Sequence, residues 1–221
     1  MLHDPFSNLK TLDVAQYPSL VPDAPASPNI DRNTMIAKGR CLRSKVEKRR
    51  FQTHKNAIGA AAQIGTLPDR HETVHMILKA NAFDCFSVLP AILELSGKPA
   101  DAVLLCTLGI NDRHIQAIDE LATAKQITGV RMLASHYFSK ADPKEWQHAV
   151  EVFERHGFPI KAVRSHCKIV AVKVDEEHYI AAGSGNLRSC RASENMDLTN
   201  SKELFEFYSE YADTLFDGET A

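Results

Sequence analysis

Residues 102–108, AVLLCTL, form an almost uninterrupted apolar run, and this run constrains the fold more than any other stretch of the chain. Such a run is typical of a β-strand that is buried on both faces, which requires helices on both sides of a sheet. A second strand pattern follows at 130–134, and residues 111–125 between them carry apolar side chains at helical spacing. Strands that alternate with helices predict an α/β fold, a mixed β-sheet flanked by helices on both faces.

The same patterns predict the remaining elements of this domain. Pro90 falls inside one predicted helix and indicates either a kink or a late start. An acidic turn at residues 175–177 joins two apolar strands into a hairpin. The further predicted strands are 74–78, 160–163, 165–172, 179–182 and 194–198, and the further predicted helices are 83–95, 143–156 and 201–216.

The N-terminal part differs in composition from the rest. Residues 1–31 contain five prolines and predict an extended arm, and residues 32–70 predict a basic helical extension before a domain at 71–217. Segment 32–55 holds nine basic residues and one acidic residue, a net charge of +8. The rest of the chain holds 17 basic and 27 acidic residues, a net charge of −10.

The positive charge of segment 32–55 suits a polyanion. Nucleic acid phosphates and anionic lipid head groups fit equally on charge alone. A solvated helix face that binds nothing is the third interpretation. The candidate nucleic-acid contacts are Arg40, Arg43, Lys48, Arg49 and Arg50.

The sequence lacks the marks of a secreted or membrane-spanning protein. No apolar run approaches the roughly 20 residues of a membrane-spanning helix, and the N-terminus has neither a basic nor a hydrophobic signal region. Five widely spaced cysteines match neither a disulfide framework nor a Cys-x-x-Cys metal site. We therefore expect a cytoplasmic protein without stable membrane insertion, in which the cysteines are small buried residues.

The residues with recognisable chemistry lie around the predicted hairpin. In an extended chain, side chains two residues apart share a face, so His166 and Lys168 should point the same way. The returning strand leads into a Gly-Ser-Gly-Asn segment at 183–186, and Glu194 follows. A neutral imidazole can attack phosphorus and form a covalent phosphohistidine, so His166 is the candidate nucleophile.

The neighbouring side chains suit the charge of a phosphodiester. Lys168 supplies a fixed positive charge, and Asn186 supplies amide donors for the phosphoryl oxygens. Ser184 and the backbone amides beside its flanking glycines add further donors. Glu194 is a candidate to accept the second ring N–H of His166 and so to fix which nitrogen attacks. We predict catalytic roles for His166, Lys168, Asn186 and Glu194 and phosphate binding by Lys168, Ser184 and Asn186.

This pattern resembles the motif of the phospholipase D superfamily, which reads His-x-Lys, four residues, Asp, then Gly-Ser-x-Asn and a later Glu. Lys173 stands at the Asp position, and the nearest acid, Asp175, lies in the predicted turn. The departure resembles the His-Lys-Asn form of the motif in tyrosyl-DNA phosphodiesterases. The resemblance covers roughly residues 72–216 and implies a phospholipase D-like sheet, a nucleophilic histidine, a second histidine as general acid, and no metal or cofactor requirement. The matching residues are His166, Lys168, Gly183, Ser184, Asn186 and Glu194.

The second histidine is missing from the motif, because the sequence contains a single His-x-Lys. Single-motif members of the superfamily are dimers, so the resemblance implies a homodimer in which His166 and its symmetry mate face one phosphate pocket. His178 is an alternative partner within the chain, although a turn or surface role explains it as well. Tyr137 and Phe138 are candidates either to line the cleft or to pack in the core.

Together these features predict a metal-independent phosphodiesterase that works through a phosphohistidine intermediate. Nucleic acid is the preferred substrate, because of the charge of segment 32–55 and the lack of an apolar membrane-docking stretch. A phospholipase D-type lipid hydrolase or phosphatidyl transferase is one alternative. A catalytically silent nucleic-acid-binding module of the same fold is the other, since one scaffold hosts many sites.

Overall fold

A computed structural model describes residues 45–78, 84–187 and 193–218, with side chains from residue 55 onward. The predicted arm at 1–31 lies outside the described residues, as do Arg40 and Arg43 and the side chains of Lys48, Arg49 and Arg50. The division of the N-terminal part into an arm and a basic extension therefore stays a prediction.

Six α-helices and seven β-strands make up the described part of the chain. The helices are α1 (Lys45–Ile64), α2 (Val88–Ser96), α3 (Asp112–Thr123), α4 (His136–Ala141), α5 (Pro143–Arg155) and α6 (Lys202–Phe216), and a short 3-10 helix at Cys85–Ser87 precedes α2. The strands are β1 (Thr73–Leu78), β2 (Ala102–Thr107), β3 (Val130–Ser135), β4 (Ile160–Val163), β5 (Ile169–Val174), β6 (Glu177–Gly183) and β7 (Glu194–Asn200).

The seven strands form one mixed sheet in the order β1-β7-β6-β5-β2-β3-β4. Strands β2, β3 and β4 are parallel to one another, and helices connect them, as parallel neighbours require. The other four strands pair antiparallel. Asp175 takes a left-handed backbone with φ of 51° in the tight turn between β5 and β6, a conformation that aspartate tolerates better than most residues.

Helices cover both faces of the sheet, as the apolar run at β2 predicts. Val103 and Leu105 face the main core, which α1, α2, α3 and α5 complete. Leu104 and Cys106 face the opposite side and join a second core with α6. The last turns of α1 contribute Ala60, Ala61 and Ile64 to the main core, so this helix packs on the domain.

Two local features differ from the sequence-based prediction. The strand predicted from residue 165 begins only at Ile169, because the ladders of β5 start there, opposite Cys106 of β2 and Ala182 of β6. Residues 165–168 take no part in these ladders. The short helix α4 was also missed, although Ser135 caps it by accepting the backbone N–H of Tyr137.

Pro90 explains the late start of α2. The segment predicted as a helix from residue 83 opens with the 3-10 turn, and the α-helix begins at Val88. Pro90 thus lies in the first helical turn, where its missing N–H costs no hydrogen bond. Gly97 ends the helix with a left-handed φ of 64° and donates its N–H to Leu93 O at 3.0 Å. Among the described helices none is long and apolar enough to cross a membrane.

Candidate active site

The antiparallel hairpin brings the predicted site residues to one edge of the sheet. Because β5 and β7 run opposite to β6, the start of β5, the end of β6 and the start of β7 meet there. His166 and Lys168 lie just before β5, the 183–186 segment ends β6, and Glu194 begins β7. The sheet topology thus collects residues that are up to 28 positions apart.

His166 and Lys168 form a close pair at this edge. The His166 side chain is exposed, and the Lys168 ammonium lies 3.0 Å from Nδ1 of its ring and 3.0 Å from its carbonyl oxygen. An ammonium has hydrogens only to donate, so Nδ1 accepts and the ring proton is on Nε2. For Nε2 to attack phosphorus, the proton must move to Nδ1, and Lys168 must first release that atom.

Ser184 and Glu194 are held against each other across β6 and β7. The Ser184 hydroxyl donates to Glu194 Oε2 and accepts the backbone N–H of Asn195 at 3.1 Å. The Ser184 N–H donates to Asn195 O at 3.0 Å. The sequence predicts that Glu194 orients the His166 ring, but the structure gives Ser184 as the hydrogen-bond partner of its carboxylate.

Gly183 permits the close approach of β6 and β7 at the site. A Cβ at this position would lie 2.1 Å from Asn195 O and 2.8 Å from Met196 Cα. Both are backbone atoms of β7, which cannot move aside as a flexible side chain does. A glycine is therefore required before Ser184, and its place in the motif has a steric reason.

Asn186 presents an unsatisfied amide. The residue is half-buried, and within the described residues its buried Oδ1 has no hydrogen-bond partner. A buried polar atom without a partner costs about 1–3 kcal/mol, so among the described residues this oxygen has an unused capacity for a ligand. Amide oxygen and nitrogen positions are assigned from hydrogen-bond partners, and the flipped amide would offer donors in the same place.

Lys173, at the Asp position of the motif, and His178, the alternative second histidine, lie at the opposite end of the hairpin. Lys173 pairs with His178 in the register of β5 and β6. At about 3.3 Å per residue, Lys173 lies roughly 13 Å along the strand from Ile169, which is next to the candidate site. The residue at the Asp position of the motif is thus remote from His166 along the hairpin.

The in-chain alternative for the second histidine is wrong. His178 is 6% exposed, and its ring packs edge-on against Phe205 with centroids 5.1 Å apart. It lies at the start of β6, whereas the candidate site is at the end of that strand. Tyr137 and Phe138 both lie in the first turn of α4, just after β3, but Tyr137 is 62% exposed and Phe138 is fully buried.

The two cysteines near the site pack in or against the second apolar core. Cys106 is buried in the second core, and this burial, together with Cys167, raises the pKa of its thiol to about 12. Cys167 lies between His166 and Lys168 in the chain and packs against the same core. In the part of the chain that the structure describes, no group of three or more His, Cys, Asp or Glu residues is arranged to hold a metal ion.

Comparisons with known proteins add to this description. No family model matches the sequence. No curated protein matches it either. Polyphosphate kinase from Porphyromonas gingivalis is similar, with a TM-score of 0.49 and 14% identity over 69% of this chain and 24% of that one. Phosphatidylserine synthase from Haemophilus influenzae has a TM-score of 0.46 and 14% identity over 67% of this chain and 39% of that one.

Yeast tyrosyl-DNA phosphodiesterase is also similar, with a TM-score of 0.36 and 11% identity over 57% of this chain and 32% of that one. The described residues form the predicted α/β architecture, a mixed sheet with helices on both faces. The chain spans 24% to 39% of the length of these proteins.

Proposed function

We propose that this protein is a metal-independent phosphodiesterase that forms a phosphohistidine on His166. The observation that carries the proposal is the exposed His166–Lys168 pair at the sheet edge where the 183–186 segment ends β6. A nucleophile, a fixed cation and a half-buried amide lie at one edge of the sheet. Cleavage of a phosphodiester through a covalent intermediate requires a nucleophile for phosphorus and groups that stabilise the phosphoryl oxygens.

In the proposed reaction, an incoming phosphodiester draws the Lys168 ammonium from Nδ1 of His166 to a phosphoryl oxygen. Nδ1 then takes the ring proton, and the lone pair of Nε2 attacks phosphorus while the bond to the leaving oxygen breaks. A second histidine protonates the leaving oxygen. The same histidine deprotonates water, which attacks phosphorus, breaks the P–N bond and returns His166 to the neutral form. Asn186 holds the phosphoryl oxygens in both steps.

Detection of the intermediate tests this proposal. Wild-type protein in excess EDTA should hydrolyse bis(p-nitrophenyl) phosphate with an initial burst of p-nitrophenol, about one equivalent per active site. A rapid quench into alkali, where phosphohistidine survives, should leave an aryl phosphoryl group on the peptide that contains His166. Activity without a burst and without this adduct would contradict a covalent mechanism. A protein with no activity that still binds DNA would be the silent binding module.

A homodimer completes the site in this proposal, because one chain provides a single nucleophilic histidine. If both His166 rings are needed, mixed dimers are inactive, and equal co-expression of wild type with His166→Ala should give about one quarter of the wild-type activity. Independent sites should give about one half. The control is a mixture of the two separately purified proteins, assayed before subunits exchange. A monomeric mass in sedimentation, with full activity, would contradict the shared site.

We propose nucleic acid as the substrate class, on the charge of segment 32–55. Substituting glutamine at the five candidate contacts should lower the salt concentration that elutes the protein from DNA and reduce the slope of log affinity against log salt by about 4–5. The matched control removes five exposed charges of the main domain and should change the slope little. Binding to anionic liposomes in place of DNA would favour the lipid alternative. The substituted residues are Arg40, Arg43, Lys48, Arg49 and Arg50, and the control residues are Lys125, Lys140, Lys144, Arg155 and Lys202.

A further inference from the structure

A buried cluster of charged side chains lies outside the candidate active site. Asp84 and His114 are each 1% exposed, and His114 Nε2 lies 3.0 Å from Asp84 Oδ2. The guanidinium of Arg113 contacts the same carboxylate oxygen and donates its Nε–H to His114 Nε2 at 3.1 Å. Ser87 gives the other oxygen its backbone N–H at 3.1 Å and its hydroxyl at 2.8 Å. Both oxygens of the Asp84 carboxylate are thus held by donors from α3 and from the turn that precedes α2.

The cluster keeps Asp84 ionised despite its burial. Burial alone would raise the pKa of this carboxyl, but the hydrogen bond and charge of His114, with Ser87 and Arg113, outweigh it and hold the pKa below its ordinary value. An apolar set of similar volume would fill the space without the desolvation of charge. Hydrogen bonds in such a network fix the orientation of the side chains they join, which apolar packing does not.

The His114 ring also contacts the loop that carries Asn186. Nδ1 of His114 lies 2.5 Å from the carbonyl oxygen of Leu187, which can only accept, so Nδ1 donates. The N–H of Leu187 lies 3.3 Å from the Thr107 hydroxyl at the end of β2. That hydroxyl is itself fixed, since it donates to Gly109 O at 2.9 Å. Both backbone polar groups of the residue after Asn186 are therefore held by buried side chains.

The His114 ring has little freedom to move. It stacks on Phe86 with centroids 4.5 Å apart and an interplanar angle of 16°. Asn111 caps α3 by accepting the His114 backbone N–H at 3.1 Å. Phe86, Thr107, His114 and Leu187 are all 2% exposed or less, so water does not compete for these hydrogen bonds. A ring fixed at its backbone, its face and both nitrogens is suited to hold a neighbouring segment in place.

We propose that His114, oriented by Asp84 and Arg113, is a positioning residue that holds Leu187 and thereby places Asn186 for phosphate binding. This role in catalysis rests on the proposed phosphodiesterase function, whereas the hold on Leu187 does not. His114 touches no substrate. It acts through the backbone of the loop, and its removal lets Asn186 leave the geometry that the transition state requires.

Two substitutions at one position test the hold on Leu187. The amide nitrogen of Asn overlays Nδ1 of histidine, so His114→Asn keeps a donor for Leu187 and loses the contact with Asp84. His114→Gln places its amide near Nε2, keeps the Asp84 contact and loses the bond to Leu187. Amide hydrogen exchange at Leu187 should accelerate about tenfold or more in His114→Gln relative to His114→Asn, with exchange at Val170 as the measure of global stability. Equal exchange at Leu187 in the two variants would overturn the proposal.

Kinetics test the consequence for Asn186. His114→Gln should lower kcat about 10–100-fold with KM changed less than about threefold, and His114→Asn should recover most of this loss. In an Asn186→Ala background, His114→Gln should cost less than about threefold more, because the residue it positions is gone. Losses that multiply in the double variant would overturn the positioning role. A wild-type protein that hydrolyses nothing but shows the exchange difference would refute the proposed function and leave the hold on Leu187 standing.

Discussion

Replacing His166 with alanine should lower kcat for bis(p-nitrophenyl) phosphate by about 10³-fold or more, in buffer with excess EDTA. The imidazole is the group that bonds to phosphorus in the proposed reaction, and neither Lys168 nor Asn186 can replace a nucleophilic ring nitrogen. Because the side chain is exposed, its removal leaves no cavity, and the melting temperature should stay within about 2 °C of the wild type. Steady-state kinetics and a thermal melt of the same preparations measure both effects.

The matched control is His75→Ala. The His75 side chain is also exposed, and it contacts Asp197 at 2.8 Å, but it lies within β1 rather than at the candidate site. Its activity should remain within about twofold of the wild type. More than one tenth of the wild-type rate in His166→Ala would show that this ring is not the nucleophile. The α/β fold would then serve a different chemistry.

Replacing Gly183 with alanine should destabilise the protein by about 3 kcal/mol. The added Cβ would lie 2.1 Å from Asn195 O, which is closer than any real contact, and that atom belongs to the backbone of β7. The two strands must therefore separate, which breaks the hydrogen bonds between Ser184 and Asn195 next to the site. Urea denaturation at equilibrium measures the loss, and phosphodiesterase activity should fall even where the variant remains folded.

Gly59→Ala provides a control of opposite sign. Gly59 is exposed in the interior of α1, and an added Cβ would meet no atom within 4 Å. Alanine is favoured over glycine in a helix by about 1 kcal/mol, so this substitution should stabilise the protein by up to that amount. If Gly183→Ala proved as stable as the wild type, the close approach of β6 and β7 at this point would be wrong.

Local sequence patterns predicted most of the fold because the signals are local. The apolar run at β2 requires cover on both faces, and Gly97 needs only its own backbone angle to end α2. The predictions were wrong for features that depend on contacts between distant parts of the chain. The strand predicted from residue 165 starts at Ile169, since a strand exists only where neighbours supply a ladder. No local pattern in residues 165–168 contains that information.

The sequence likewise predicted some contacts of the candidate site and not others. The spacing of His166 and Lys168 predicted that they share a face, and their 3.0 Å contact agrees with it. The partner of Glu194 was not predictable, because Ser184 reaches it only through the register of β6 and β7. The hold on Leu187 had no sequence signal at all. From the sequence alone, His114 is an ordinary helical residue of the surface or the core, and only the fold places it next to Leu187.

By itself the sequence determined the α/β layering, the hairpin and the set of chemical groups near residues 166 and 186, because periodicity and residue type are properties of short segments. Only the tertiary structure decided which of these groups meet. It placed Lys173 and His178 at the far end of the hairpin and joined His114 to Leu187, 73 positions apart in the chain. Such contacts follow from strand order and register, which depend on the packing of the whole sheet.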